Sequence, residues 1–207
     1  ESIPIAVTAL LPLVLFPLSG GLDLSATSGS FGHKYVFLYM GGFVISIAIE
    51  KWNLHKRIAL NIINLIGSDV RKIILGFMVA TAFLSMWISN TATSVMMLPI
   101  GLAIIKQLQD NPDTKEDENQ TFGKALMLAI AYSSSIGGLA TLIGTPPNLV
   151  LAGVVLDTYG YEITFMQWLV FGLPISIILI FICWKYLTKY AFTFKQKSFP
   201  GGKDEIR

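Results

Sequence analysis

Ser85-Met86-Trp87-Ile88-Ser89-Asn90-Thr91-Ala92-Thr93 sits in the middle of an apolar tract that runs from Ile73 to Ile105. Small hydroxyls and one amide interrupt what otherwise reads as lipid-soluble helix. Polar groups at membrane depth are costly unless they face protein, water or a ligand. The interruption is therefore a candidate site, and the rest of the chain is read for what faces it. Length sets the local geometry. Ile73–Ile88 makes about 24 Å of helix, short of the ~30 Å hydrocarbon core, and Ala92–Gln107 is similarly short. Two such half-length helices meeting at Ser89-Asn90-Thr91 predict a re-entrant hairpin with its tip near mid-membrane. The rival is a pair of tilted full spans with a turn at the far surface. The tip carries no charge and no Gly-rich turn, which favours the hairpin.

Composition agrees with a membrane setting. Of 207 residues, 53% are hydrophobic and 14% charged, whereas soluble domains carry about 25% charged residues. Net charge is +2, and the basic residues cluster in loops, which argues against a nucleic-acid partner. The single cysteine, Cys183, excludes an internal disulfide. The opening residues from Glu1 show neither the basic n-region nor the cleavage site of a signal peptide. The chain opens abruptly in apolar sequence, which suggests a fragment or a trimmed chain.

Around the tip the chain alternates apolar spans with polar breaks. Ile3–Leu18 is a first span punctuated by Pro4, Pro12 and Pro17, which membrane helices tolerate. Ser19–Gly32 reads as a loop. Lys34–Ile49 is a second span, with Gly41-Gly42 as a packing pair. Glu50–Ile66 is amphipathic at helical spacing and reads as a helix on the membrane surface, with His55 as an interfacial charge. Gly67-Ser68-Asp69 ends it. Residues 109–120 form an acidic solvent loop, and the sequon Asn119-Gln120-Thr121 within it is discounted as cytoplasmic. Gly123–Leu156 is a second interrupted tract, with Ser133-Ser134-Ser135-Ile136-Gly137-Gly138 followed by Gly144-Thr145-Pro146-Pro147-Asn148. Consecutive prolines cannot continue a helix but suit the first turn of a new one. Phe165–Tyr186 is a last span, and Phe192–Arg207 a basic tail. Lys and Arg fall almost wholly on one side of this topology, which becomes the cytoplasmic side.

The predicted fold is all-α: a polytopic membrane protein in a lipid bilayer, with one re-entrant helical hairpin and one broken helix. Its expected divisions are 1–66, scaffold-type helices with the interfacial helix; 67–164, the hairpin and broken helix; and 165–207, the last span and tail.

Unwound backbone at membrane depth survives only where it is buried in protein or lines a cavity. Ser89–Thr91 and Ile136–Thr145 are two such places. Carbonyl, hydroxyl and amide oxygens are hard ligands, and with no Asp or Glu in either stretch a divalent ion is poorly neutralised. Sodium is the natural candidate. Helix starts at Ala92 and near Pro147 direct N–H groups and a positive dipole end at the same space, which suits a carboxylate. No Lys, Arg or His stands in either break, so a bound cation must offset an anion's charge. For Ser133, Ser134 and Ser135 the reading as packing glue is preferred; for Ser89-Asn90-Thr91 the reading as a site is. Enzyme motifs such as GxSxG, HExxH and GxxxxGK are absent, so no enzyme is expected.

These residues resemble the divalent anion/sodium symporter family, its bacterial INDY-type sodium-dependent dicarboxylate transporters in particular. The resemblance rests on Ser89-Asn90-Thr91 after Ser85-Met86-Trp87, and on Ile143-Gly144-Thr145-Pro146-Pro147-Asn148. Phe37-Leu38-Tyr39-Met40-Gly41-Gly42-Phe43 and Glu50-Lys51-Trp52-Asn53-Leu54-His55 add to it. It implies a sodium site from Ser85, Ser89, Asn90 and the backbone at Gly138, and a substrate carboxylate held by Asn90 and Thr91. Gly137, Thr145, Pro146 and Asn148 are further candidates, shaping the broken helix beside the ion. It also implies a homodimer in the bacterial inner membrane, whose transport domain moves against a scaffold like an elevator. Such proteins contain two inverted repeats, and this sequence holds one. The expectation is the first repeat of a sodium symporter for C4-dicarboxylates such as succinate, needing a second repeat or a second copy. Citrate, sulfate or another oxyanion is the alternative substrate, and a non-transporting assembly fragment the alternative role.

Overall fold

The computed structural model describes residues 3–66, 69–109 and 116–194, which are helical and contain no β-strand. The chain divides into two compact units between Gly41 and Gly42. In the first, α1 (Ile5–Ser19) contains Pro12 and Pro17, has no buried residue, and ends at Gly20 in the left-handed region, φ 72°. Its apolar side chains, such as Ile5, Val14 and Leu18, are exposed, an arrangement suited to lipid rather than water. Ser19–Gly32 is not simply a loop. Leu24–Phe31 forms α2, with Asp23 as its N-cap accepting from the Ala26 N–H at 2.6 Å. The hydroxyls of Thr27, Ser28 and Ser30 bond to carbonyls three or four residues back. Polar composition suggested loop, but these side chains satisfy themselves on the helix instead of unwinding it. α3 (Lys34–Lys51) starts in this unit.

In the second unit, α3 ends at a turn where Asn53 has φ 51°, and α4 (Leu54–Ile66) follows. Residues 50–66 are thus two helix segments, not one. His55 is 4% exposed, its Nδ1 3.4 Å from the Ile49 carbonyl oxygen. The expectation of an interfacial charge is corrected: the left-handed turn folds this ring beneath the elbow. Gly67-Ser68 lies outside the described residues, but Asp69 caps α5 (Val70–Ser85), accepting from the N–H groups of Arg71 and Lys72.

α5 is the axis of this unit. It packs against α4, α6 (Asn90–Gln109), α7 (Glu116–Gly138) and α9 (Phe165–Lys185). Ile73, Ile74, Phe77, Met78 and Leu84 are buried on successive faces of α5, with Met97 of α6 and Phe122, Leu126 and Ile130 of α7 in the same core. Small residues set the closest approaches. Gly101 of α6 lies under Met127 and Ile130, and Gly137 of α7 lies against the Ala82 backbone. Gly42 of α3 packs on Ile143, as its packing role requires. α7 begins at Glu116, so the acidic loop is shorter than expected; its residues 110–115, and the tail from 195 onward, lie outside the described residues.

Two interruptions stand close to where the sequence places them, but shifted and shorter. The first is 86–89 between α5 and α6, so that Asn90 and Thr91 open α6 instead of lying in unwound backbone. The second is 139–145 between α7 and α8 (Pro146–Tyr159), with Ile136, Gly137 and Gly138 still in α7. α6 has 20 residues, longer than the half-length arm expected, but its apolar part is Asn90–Lys106. The runs Leu24–Lys51 and Phe165–Ala191 are long and apolar enough to cross a membrane. α9 is tied at one end to α5 and at the other to the break that follows α5. Trp184 Nε1 donates to the Arg71 carbonyl at 2.9 Å, and Trp87 stacks on Phe165 with centroids 6.3 Å apart. The tip is therefore beside the first residue of α9 rather than its middle. α5 begins at Val70, three residues before the expected arm, and ends at Ser85, with the turn at 86–87 after it.

Candidate functional site

The two breaks meet. The Thr141 hydroxyl, fully buried, donates to the Met86 carbonyl at 2.5 Å. The Asn90 side chain lies against Gly138 so closely that a Cβ there would fall inside its amide. Gly144 in turn lies on Gly138, where a Cβ would come 2.5 Å from the Gly138 carbonyl oxygen. Only hydrogen fits at these glycines, which is why the second break can approach the first.

Oxygen atoms gather at this contact. Ser85 Oγ lies 2.7 Å from Asn90 Oδ1 and 2.6 Å from the Ser134 carbonyl oxygen. Ser94 Oγ lies 2.9 Å from the Asn90 carbonyl oxygen and 2.8 Å from Ser134 Oγ. Ser134 Oγ lies 2.9 Å from the Ala131 carbonyl oxygen. A hydroxyl has one hydrogen, so three hydroxyls serve five contacts. Oxygen lone pairs gathered in this way can face a cation. The donor set is hydroxyl, amide and carbonyl, and the described residues contain no group of three His, Cys, Asp or Glu that could hold a metal ion. Such a set fits a hard monovalent cation better than a divalent or a soft one.

The start of α6 adds the opposite polarity. Ser89 acts as its N-cap, with the Ala92 N–H donating to Ser89 Oγ at 3.3 Å and the Thr93 N–H to the Ser89 carbonyl at 2.9 Å. The N–H groups of Asn90 and Thr91 come first in the helix and have no intrahelical acceptor. Thr91 is exposed beside them. The start of α8 is different. Pro146 and Pro147 have no N–H, and the Asn148 N–H bonds the Thr145 carbonyl at 3.2 Å. Its side offers an anion a dipole but few donors, so the expected pair of helix starts is unequal.

The second break is closed by its neighbours. Asn148 Nδ2, buried, donates to the carbonyls of Gly138 at 2.9 Å and Thr141 at 2.8 Å. Trp168 Nε1 donates to the Leu139 carbonyl at 3.0 Å, and the Ser176 hydroxyl to that of Ile136 at 2.8 Å. Of the residues singled out in the sequence, the structure brings Ser85, Asn90, Gly137, Gly138 and Asn148 into one cluster. Ser89 caps the adjoining helix. Thr145 is half-buried at the N-cap of α8 without a side-chain cap bond, and Pro146 is exposed. Sequence reasoning missed Ser94, Thr141, Trp168 and Ser176, and read Ser134 as glue only. Ser94 was findable, one turn after Asn90 on the same face. Ser133 and Ser135 bond to carbonyls of their own helix and not to a neighbouring one. Thr81 and Thr93, buried, have hydroxyls with no hydrogen-bond partner.

Similar proteins point the same way. The chain is 51% identical over its whole length to the sodium-dependent dicarboxylate transporter SdcS of Staphylococcus aureus (strain USA300), and 49% identical to SdcS of Staphylococcus saprophyticus. It spans about 40% of the length of these relatives. A family model described as citrate transporter matches residues 1–204. Nearly every residue of the sequence takes part in that match, and the chain belongs to the citrate transporter family, a family of integral membrane transporters and not of enzymes.

Proposed function

We propose that the chain is the first repeat of a sodium-coupled symporter of C4-dicarboxylates such as succinate. The observation that carries this reading is the oxygen cluster around Ser85, Asn90 and Ser134. Sodium, a co-substrate here, is held by oxygens of Ser85, Ser89, Asn90 and the Gly138 backbone. Its charge stands next to the start of α6, where Asn90 and Thr91 present N–H and hydroxyl donors to one carboxylate. Neither break contains Lys, Arg or His, so the anion depends on the cation for its counter-charge, and that dependence is the coupling. The names of the relatives support both partners.

In this reading α5 and α6 form a re-entrant hairpin whose uncharged tip stays inside the bilayer. Residues 67–164 move as the transport part against residues 1–66, with 165–207 completing the repeat. The second carboxylate and a second ion require another repeat or another copy, within a homodimer of the bacterial inner membrane. Citrate or another oxyanion is the second reading of the substrate, favoured by the description of the matching family.

The test is uptake of labelled succinate by the intact transporter containing this chain. Asn90→Ala and Thr91→Ala should each lower sodium-dependent uptake by about a hundredfold or more, as loss of a first-contact ligand of ~3 kcal/mol does. Uptake retained in both variants would instead make the cluster packing glue.

A further inference from the structure

Behind the broken helices a cleft of about 230 Å³ opens between α5, α7 and α9, with walls almost wholly of carbon. Val79, Phe83 and Met86 line it from α5, and Leu173, Ile177 and Ile180 from α9. It is open along one side, where Phe83 and Ile177 are exposed. At one end of the same two helices, Trp184 is bonded to the Arg71 carbonyl. That corner presents Arg71, Lys72, Lys185 and Lys189, all exposed. Among the described residues none of the four pairs with an acidic side chain. Asp69 is the acidic residue nearest in sequence, and its Oδ1 is turned to the N–H groups starting α5. Lys185 Nζ lies 4.6 Å from the Phe181 ring centroid, one residue from Ile180 of the cleft lining.

We infer that this cleft takes one acyl chain of an anionic glycerophospholipid of the surrounding bilayer, with the lipid phosphate among Arg71, Lys72 and Lys185. Depth and charge together select this occupant. Measured along α9 from Lys185, Ile180 is about 8 Å deep and Leu173 about 18 Å. One leaflet of hydrocarbon is about 15 Å deep. A chain whose headgroup stands at Lys185 therefore enters the cleft partway down and ends near Met86 and Leu173. The carbon walls fit any tail, but the unpaired cations prefer a headgroup with net negative charge. The tail lies against Met86, whose carbonyl is bonded to Thr141, and beside Ser176, which holds the Ile136 carbonyl. An occupied cleft thus braces the back of the two breaks. This inference does not depend on the identity of the transported ion or anion.

The experiment is native mass spectrometry of the intact transporter containing this chain, released from vesicles of phosphatidylcholine with and without phosphatidylglycerol. The unaltered chain should retain phosphatidylglycerol over phosphatidylcholine by about tenfold or more. Arg71→Gln and Lys185→Gln should each lower that preference about fivefold. Ile177→Trp fills the cleft from an exposed rim position and should abolish retention of either lipid; Val79→Trp provides the same test if the first variant fails to fold. Equal retention of the two lipids by the unaltered chain, or retention unchanged in the tryptophan variants, overturns the inference. Disulfide formation between two Ile177→Cys copies in the membrane would show a second chain covering the cleft and would also overturn it.

Discussion

The break at 139–145 is held by donors from several directions, whereas oxygens gather at the break at 86–89. Asn148, Trp168 and Ser176 each reach a carbonyl in or just before the second break. At the first, the contacts run from hydroxyl to oxygen. An interruption in a helix is thus not in itself a binding site. The second break is a wall closed by its own neighbours; at the first, the proposed sodium would complete the oxygen cluster. Substitutions in the wall should lower stability, and those in the oxygen cluster should lower sodium dependence.

The largest loss of stability is expected at Gly137. A Cβ there comes 2.5 Å from the Ala82 Cα, backbone that cannot move aside. Gly137→Ala should cost about 3 kcal/mol, read as a lowered midpoint in thermal unfolding of the purified protein. Asn148→Leu comes next. It strips two carbonyls of one amide and should cost about 2 kcal/mol by the same measurement. Gly138→Ala sharpens the contrast with its neighbour, because the atoms nearest its Cβ belong to the Asn90 side-chain amide and not to backbone. Its stability cost should be about 1 kcal/mol as that amide swings away, but stabilisation by added sodium should vanish. Were both glycine variants to lose stability equally and keep the sodium response, the two breaks would not differ in kind. The smallest effect is expected where hydroxyls are buried without partners. Thr81→Val and Thr93→Val should change stability by less than about 0.5 kcal/mol, or raise it, since the methyl needs no hydrogen bond.

Much of this was legible in the sequence because the signals were local. The Pro146-Pro147 pair marks a helix start, and α8 begins at Pro146. The polar run at 85–93 marks the interruption after α5, and that helix ends at Ser85. What failed was also local: α2 was hidden because serines on a helix and in a loop have the same composition, and only the Asp23 cap distinguishes them. What could not be read was distance along the chain. Trp168 and Ser176 reach back 29 and 40 residues to their carbonyls, and no spacing rule predicts such partners. The inequality of the two helix starts was present in the prolines themselves, which lack the N–H an anion would use.

The most direct measurement is an experimental structure of the intact transporter determined in sodium. The account predicts cation density at roughly 2.4 Å from oxygens of Ser85, Asn90 and Gly138, the spacing of hard-cation oxygen ligands. Cation density elsewhere, with Ser85 and Asn90 bonded only to each other and to α7, would contradict it.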